Sequence, residues 1–178
     1  MGNAPVKSMS CQHCSQTIVI QIPPGDAHPR RICKQCNTIL YENPKIVTGV
    51  IPLCENKILI CKRNIEPRKG FWTIPSGFME LNETLQNAAL RESKEEAGIN
   101  PQIDHLHTVY DLPHIGQVYF LFKGFCDSFN HEVGIETMEC KWVDYGDIPW
   151  KELAFRSVFF ALKRLNEKGP HFGKHDEV

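Results

Sequence analysis

The sequence predicts an α/β domain preceded by a small cysteine-stapled module. Three observations carry this expectation. Two C-x-x-C pairs, Cys11/Cys14 and Cys33/Cys36, occupy the start of the chain. From Lys45 onward, β-branched apolar runs punctuated by turn residues read as strands. Between Asn82 and Gly98 the apolar residues recur with a helical period.

The totals bound what such a chain can do. Its 178 residues suffice for one ordinary domain, or for a small module plus one domain. An apolar share of 42% is enough to bury a core. With 20 basic and 21 acidic residues there is no excess charge to draw nucleic acid or a membrane surface. No apolar run approaches the roughly 18 residues of a membrane span. The stretch before Cys11 is shorter than a signal or transit peptide needs. Val6 stands where an N-acylation signal wants Ser or Thr. The expected setting is therefore cytoplasmic.

The first module is expected over residues 8–41. After Cys14, "TIVIQI" reads as a strand, "PPGD" as a turn and "RRI" as a returning strand into the second cysteine pair. So short a piece cannot hold itself together on apolar burial and needs a staple. Two C-x-x-C turns separated by 18 residues suit a tetrahedral four-thiolate Zn2+ site. Disulfides or a redox dithiol are the alternatives, and a cytoplasmic setting disfavours both. With Cys11, Cys14, Cys33 and Cys36 all used, the zinc is structural. The remaining cysteines, Cys54, Cys61, Cys126 and Cys140, stand singly in strand-like segments and read as small buried hydrophobes.

The main domain is expected over 44–168, with 169–178 as a polar, frayed tail. "KIVTGVIPL" and "KILICKR" form a hairpin about Glu55-Asn56. "FWTIP", "QVYFLFKGF" and "MECKWVDY" are further strands, and "FRSVFFALKRLNE" is a closing amphipathic helix. The central helix is expected from about Glu83 to Ala97, with Asn82 as N-cap and Gly98 in the left-handed C-cap.

That helix carries the chemistry. Leu85, Ala88 and Ala89 form an apolar stripe, and the same stripe continues into Glu92, Glu95 and Glu96. Carboxylates on a core-facing stripe repel and are desolvated unless a cation joins them. Oxygen ligands in a tight group suit Mg2+ or Mn2+. Arg91 is spaced to pair with Glu95 or Glu83 and so to hold a ligand in place. The bend "IPSG" places the Ser76 carbonyl as a further candidate ligand.

The stretch from Gly77 through Glu83 and Arg91-Glu92-Ser93-Lys94-Glu95-Glu96-Ala97-Gly98-Ile99 resembles the Nudix box. One position departs: Ser93 stands where an aliphatic residue is usual. Outside the box, the ribbon and the segments "YENPKIVTGVI", "PHIGQVYFLF", "ETMECKW" and "IPWKELAF" are similar to the zinc-ribbon Nudix hydrolases, over roughly residues 10–170. The resemblance implies a Nudix α/β/α sandwich with a mixed sheet behind an N-terminal zinc ribbon. It also implies a pyrophosphatase that hydrolyses a nucleoside diphosphate linked to another group, FAD or ADP-ribose, releasing AMP. Carried over by motif, Glu92, Glu95 and Glu96 hold the catalytic Mg2+ or Mn2+, Glu83 supports the site, and Arg91 orients a glutamate. A distal carboxylate, Glu136 with Glu139 as fallback, adds a ligand or accepts the proton of water.

A diphosphate substrate calls for basic residues near the cleft, and Arg63, Arg68, Lys62 and Lys69 lie around the loop before the box. His114 is a further pocket candidate. Tyr41, Phe71, Trp72, Phe78 and Tyr119 offer rings for a base, with core roles as the plainer reading. His105, His107, His131, His171 and His175 show no spacing that points to a site. An NADH pyrophosphatase or RNA-decapping hydrolase is the nearest alternative, weakened because "INPQIDHLHTVYDLPH" replaces the "SQPWPFP" stretch of those proteins. A non-catalytic nucleic-acid-binding module and a hydrolase of damaged nucleoside triphosphates are weaker still. The expected partner is a small-molecule nucleotide, with no nucleic acid and no membrane. A homodimer, common among the proteins it resembles, is left open.

Overall fold

The computed structural model describes residues 10–175, and the chain divides into two compact units between Asn43 and Pro44. Residues 8, 9 and 176–178 of the expected ribbon and tail lie outside the described residues.

The first unit is an antiparallel sheet of β1 (Ile18–Gln21), β2 (Arg30–Cys33) and β3 (Ile39–Leu40) in that order. Each C-x-x-C forms a tight turn. The Ser15 N–H donates to the Cys11 carbonyl at 2.7 Å, and the Asn37 N–H to the Cys33 carbonyl at 3.0 Å. Ser15 and Asn37 both take left-handed backbone angles, so the two knuckles share one shape. Cys11, Ile32 and Cys33 are the unit's buried hydrophobic side chains. That is far too little to fold on alone, as expected for a stapled module.

The second unit is built on a mixed sheet of β4 (Lys45–Cys54), β5 (Lys57–Arg63), β8 (Gln102–Leu112), β9 (Gln117–Phe125), β10 (Thr137–Asp144) and β11 (His171–Lys174). Their order is β10-β5-β4-β9-β8-β11. β4 runs parallel to β9, β11 runs parallel to β8, and the other neighbours are antiparallel. Short strands β6 (Trp72–Thr73) and β7 (Ser76–Phe78) pair with β5 and β4.

Helices cover both faces, which gives the α/β/α sandwich. Helix α1 (Leu85–Ala97) buries Ala89 with Val50 and Phe122, and Ala97 with Leu59 and Cys61. Helix α2 (Arg156–Lys163) buries Val158, Phe160 and Leu162 with Ile51, Tyr110 and Leu121 on the other face. Val50 and Ile51 are neighbours in β4 and point to opposite faces, so β4 is buried on both sides. Of the single cysteines, Cys54, Cys61 and Cys140 are buried and Cys126 is half-buried.

Three sequence expectations are corrected. The segment expected to fray contains β11, which extends the sheet beside β8 with His171 opposite Thr108. Four residues with an internal glycine carry almost no strand signal; the pairing is supplied by the open edge of β8. β8 itself was not anticipated, because Asp104, His105, His107 and Thr108 break its apolar alternation and two bulges shift its register. Helix α1 begins at Leu85 and not at Glu83. Its N-cap is Thr84, whose hydroxyl accepts the Asn87 N–H at 3.1 Å, while Asn82 sits in the left-handed region. The C-cap at Gly98 is as expected, with φ 63°.

Candidate active site

The site grows from the turn between β7 and α1. β7 lies antiparallel to β4 with Gly77 opposite Thr48. This carries the Gly77 backbone directly over α1, where a Cβ on Gly77 would lie 2.4 Å from the Glu92 carboxyl carbon. A side chain there could be seated only by pushing that carboxylate aside. The glycine that opens the motif is therefore a steric consequence of the glutamate fifteen positions later.

Arg91 organises the outer layer. Its guanidinium donates through Nε and Nη2 to both Glu83 oxygens, at 3.2 and 2.8 Å. Nη1 donates to Glu92 at 2.7 Å and to Glu95 at 3.0 Å, and Nη2 also reaches the Phe78 carbonyl at 3.0 Å. Glu83 is further fixed by the Glu80 N–H at 2.6 Å. These bonds from Arg91 and Glu80 hold the Glu83 carboxyl below its ordinary range. One planar fork thus ties three carboxylates and the β7 backbone together, which a lysine could not do.

Glu96 is placed differently. It is 7% exposed, and among the described residues its carboxylate accepts one hydrogen bond, from the Ser76 N–H at 3.1 Å. Burial, reinforced by Glu92 and Glu136, pushes its carboxyl up to about 8. Burial also pushes Glu92 up, against the pull of Arg91. Ser93, the position departing from the box pattern, is fully buried, and its hydroxyl donates to the Ala89 carbonyl at 2.8 Å. A polar group replaces the usual aliphatic one there without an unmet hydrogen bond.

Glu92, Glu95, Glu96, Glu136, Ser76 and Arg63 line one cavity of about 700 Å3. Glu83 and Arg91 stand behind its wall. Glu136 reaches the cavity from the loop before β10, its carbonyl accepting the Asn64 N–H at 2.8 Å. Glu139, three residues further along, lies opposite Lys62 across β10 and β5 and does not line the cavity. Arg63 is held by its Nε–H to the Pro67 carbonyl at 2.9 Å and by stacking 4.9 Å over the Phe155 ring. Arg68 instead lies 5.0 Å over Phe71, and His114 lies 4.2 Å from the His175 ring; neither lines the cavity. Of the candidate rings, Phe78 and Tyr119 do, joined by Phe155, which no sequence signal singled out. The fold also gathers His105, His107 and His171 edge to edge, across a separation in sequence that hid the grouping.

Two donor sets fit metals. In the first unit, the four cysteine sulfurs lie within 4.8 Å of one another, with Cys14–Cys33, Cys14–Cys36 and Cys11–Cys36 at 3.3, 3.6 and 3.7 Å. Zinc–sulfur bonds of about 2.3 Å in a tetrahedron separate the sulfurs by about 3.8 Å, so the set matches zinc. Cys36 is already held down to about 6 by the Thr38 hydroxyl and N–H. In the second unit the carboxylates are spread more widely than the cysteines. Arg91 draws Glu92 and Glu95 sideways, while Glu96 has no ion pair among the described residues. An all-oxygen set with raised carboxyls and unbalanced negative charge fits a hard divalent cation.

The comparisons agree with this geometry. The NUDIX domain model matches residues 43–162, and the Nudix N-terminal zinc-ribbon model matches 11–42. An ADP-ribose pyrophosphatase of Methanocaldococcus jannaschii is 34% identical over 65% of this chain and 70% of its own. An NAD-capped RNA hydrolase NudC of Salmonella heidelberg is 29% identical over 78% of this chain, which spans about half, 52%, of that protein. The crystal structure of a NUDIX hydrolase from Nitrosomonas europaea superposes with TM-score 0.87 at 43% identity, over 93% of this chain and 97% of that one. Glycine backed by a half-buried glutamate, the arginine fork, the cavity of carboxylates and the four-cysteine knuckles thus occur where the two family models match, and the chain belongs to the Nudix hydrolases, with an N-terminal zinc ribbon.

Proposed function

We propose that the protein hydrolyses the diphosphate bond of a nucleoside diphosphate linked to another group, with ADP-ribose or FAD as substrate and AMP as product. The observation that carries this reading is the cavity in which Glu92, Glu95, Glu96 and Glu136 stand together with Arg63. Carboxylates alone would repel a diphosphate. Mg2+ or Mn2+ among them would neutralise the phosphorus centre and acidify a water. Glu92, Glu95 and Glu96 are the residues to hold that ion, and the Ser76 carbonyl is a further candidate.

The chain's own groups do the rest. Arg91 keeps Glu92 and Glu95 in place without entering the cavity. Arg63 supplies a guanidinium to a phosphate oxygen. Glu136 stands off the helix on its own loop, which suits it to accept the proton of the attacking water. The relative described as an ADP-ribose pyrophosphatase supports the substrate class. The relatives described as NAD-capped RNA hydrolases favour a second reading, hydrolysis of NAD(H) or of NAD-capped RNA. The zinc of the ribbon is structural in either case.

The test is a hydrolysis panel. Purified protein is incubated with ADP-ribose, FAD, NADH, NAD-capped RNA and nucleoside triphosphates, with Mg2+, with Mn2+, and with EDTA as blank. Metal-dependent release of AMP from ADP-ribose or FAD, with NADH and capped RNA slow, supports the first reading. Preference for NADH or capped RNA replaces it with the second.

A further inference from the structure

Glu136 lines the cavity but is not carried by α1, so something other than the helix has to aim it. It is the third residue of a four-residue turn, Gly134 to Thr137, closed by the Thr137 N–H donating to the Gly134 carbonyl at 3.1 Å. One side of this turn is seated on the end of α1. The Gly134 N–H donates to the Glu96 carbonyl at 3.1 Å, and the Glu132 N–H to the Ala97 carbonyl at 2.9 Å. A Cβ on Gly134 would lie 1.8 Å from the Glu95 carbonyl oxygen, so the approach depends on glycine.

A single residue holds the other side. Asn64 directly follows β5, is half-buried and does not line the cavity. Its N–H donates to the Glu136 carbonyl at 2.8 Å, and its side-chain Nδ2 donates to the Ile135 carbonyl at 3.1 Å. A carbonyl only accepts, so the amide nitrogen is the atom that faces it. The Ile135 carbonyl belongs to the peptide before Glu136, and the Glu136 carbonyl to the peptide after it. Peptide units are planar, so holding both planes fixes φ and ψ of Glu136 and the direction in which its side chain leaves the backbone. Any residue except proline can supply the N–H; the second bond needs a donor of this reach. The Ile135 side chain is 94% exposed, so packing does not do this work instead.

We propose that Asn64 is a positioning residue for Glu136: its side-chain amide, through the Ile135 carbonyl, sets the backbone plane that aims the Glu136 carboxylate into the cavity. This rests on the reading above in which Glu136 accepts the proton of the attacking water. Asn64 acts through Glu136 and not on the substrate. A proton acceptor works only within hydrogen-bond reach of the water, so a small swing of the turn costs rate and leaves binding in place.

Asn64→Ala removes the amide and keeps the backbone N–H. On ADP-ribose with saturating Mg2+, or on whichever substrate of the panel is turned over faster, kcat should fall about tenfold. KM and Mg2+ affinity should stay within about twofold, and the melting temperature should fall by no more than about 2–4 °C. The deciding measurement is a double-mutant cycle with Glu136→Gln. If Asn64 acts through Glu136, Asn64→Ala costs nothing further in the Glu136→Gln background. A merely structural amide lowers kcat by the same factor in both backgrounds, which overturns the assignment. Asn64→Leu, close in size and without a donor, gives the same comparison should the alanine variant not fold. Full kcat in Asn64→Ala, or a loss carried by KM or by Mg2+ affinity, overturns the assignment and leaves the pyrophosphatase reading intact. Full kcat in Glu136→Gln removes the role of Glu136 and the assignment with it. Absence of hydrolysis by the unsubstituted protein with every substrate and metal overturns the pyrophosphatase reading as well.

Discussion

Replacing Glu96 by Gln separates the site's cost to stability from its use in catalysis. The folded protein raises the Glu96 carboxyl from 4.5 to about 8, first through burial. The folded state therefore holds this proton more tightly than the unfolded chain does. Fewer protons are bound by the unfolded state between pH 4.5 and 8, so stability falls as pH rises through that window. At about 1.4 kcal/mol per pH unit, the ceiling on the loss is about 5 kcal/mol. Local relaxation and water entry leave roughly a third of that, about 2 kcal/mol, or about 4–8 °C in melting temperature for a chain of this size. Gln keeps the shape and the Ser76 contact but does not ionise. The metal-free variant should therefore melt above the metal-free wild type at pH 8.5 and level with it at pH 5. Mg2+ or Mn2+ should raise the melting temperature of the wild type at pH 8.5 and leave the variant nearly unmoved. Thermal melts with EDTA and with metal at the two pH values read all of this. Parallel curves for the two proteins across pH, or an equal metal response, would refute the reasoning.

Other perturbations test neighbouring parts of the account. Gly77→Ala drives a Cβ to within 2.4 Å of the Glu92 carboxyl and should lower kcat/KM by about a hundredfold or more, with divalent-metal affinity falling alongside, as kinetics and titration calorimetry would show. Arg91→Lys should lower stability by about 1–3 kcal/mol in urea unfolding, because an ammonium cannot span Glu83, Glu92, Glu95 and the Phe78 carbonyl at once. Glu136→Gln should lower kcat with metal affinity retained, whereas Glu139→Gln should leave both unchanged; equal effects would remove the distinction drawn from their placement. Cys33→Ser should abolish stoichiometric zinc in metal analysis and make the first unit sensitive to limited proteolysis, since that unit has little other core.

Much of this was legible in the sequence because the signals were local. A knuckle is a few residues long, and the helix shows its buried face in the continuation of Leu85, Ala88 and Ala89 into Glu92 and Glu96. That stripe reading was right for Glu96 and Glu92 and less so for Glu95, which swings outward to Arg91 and is exposed. What the sequence hid is set by partners far along the chain. β11 exists because β8 leaves an edge open. Phe155 and Tyr119 meet in one cavity because β4 and β9 lie parallel while α2 crosses the same face. Arg68 and His114 carry the right chemistry for a phosphate but are turned toward Phe71 and His175. Asn82 is a good capping residue by type, yet Thr84 caps the helix, because Glu83 is drawn back by Arg91 and the Glu80 N–H.

The central claim is that Glu92, Glu95 and Glu96 hold the divalent cation on which diphosphate hydrolysis depends. The most direct measurement is the rate of AMP release from ADP-ribose and FAD by the unsubstituted protein and by Glu96→Gln, each with saturating Mg2+ or Mn2+ and with EDTA. The account predicts turnover in the unsubstituted protein that EDTA abolishes, and a fall of at least about a hundredfold in the variant. Full turnover by Glu96→Gln, or turnover that survives EDTA, would contradict it.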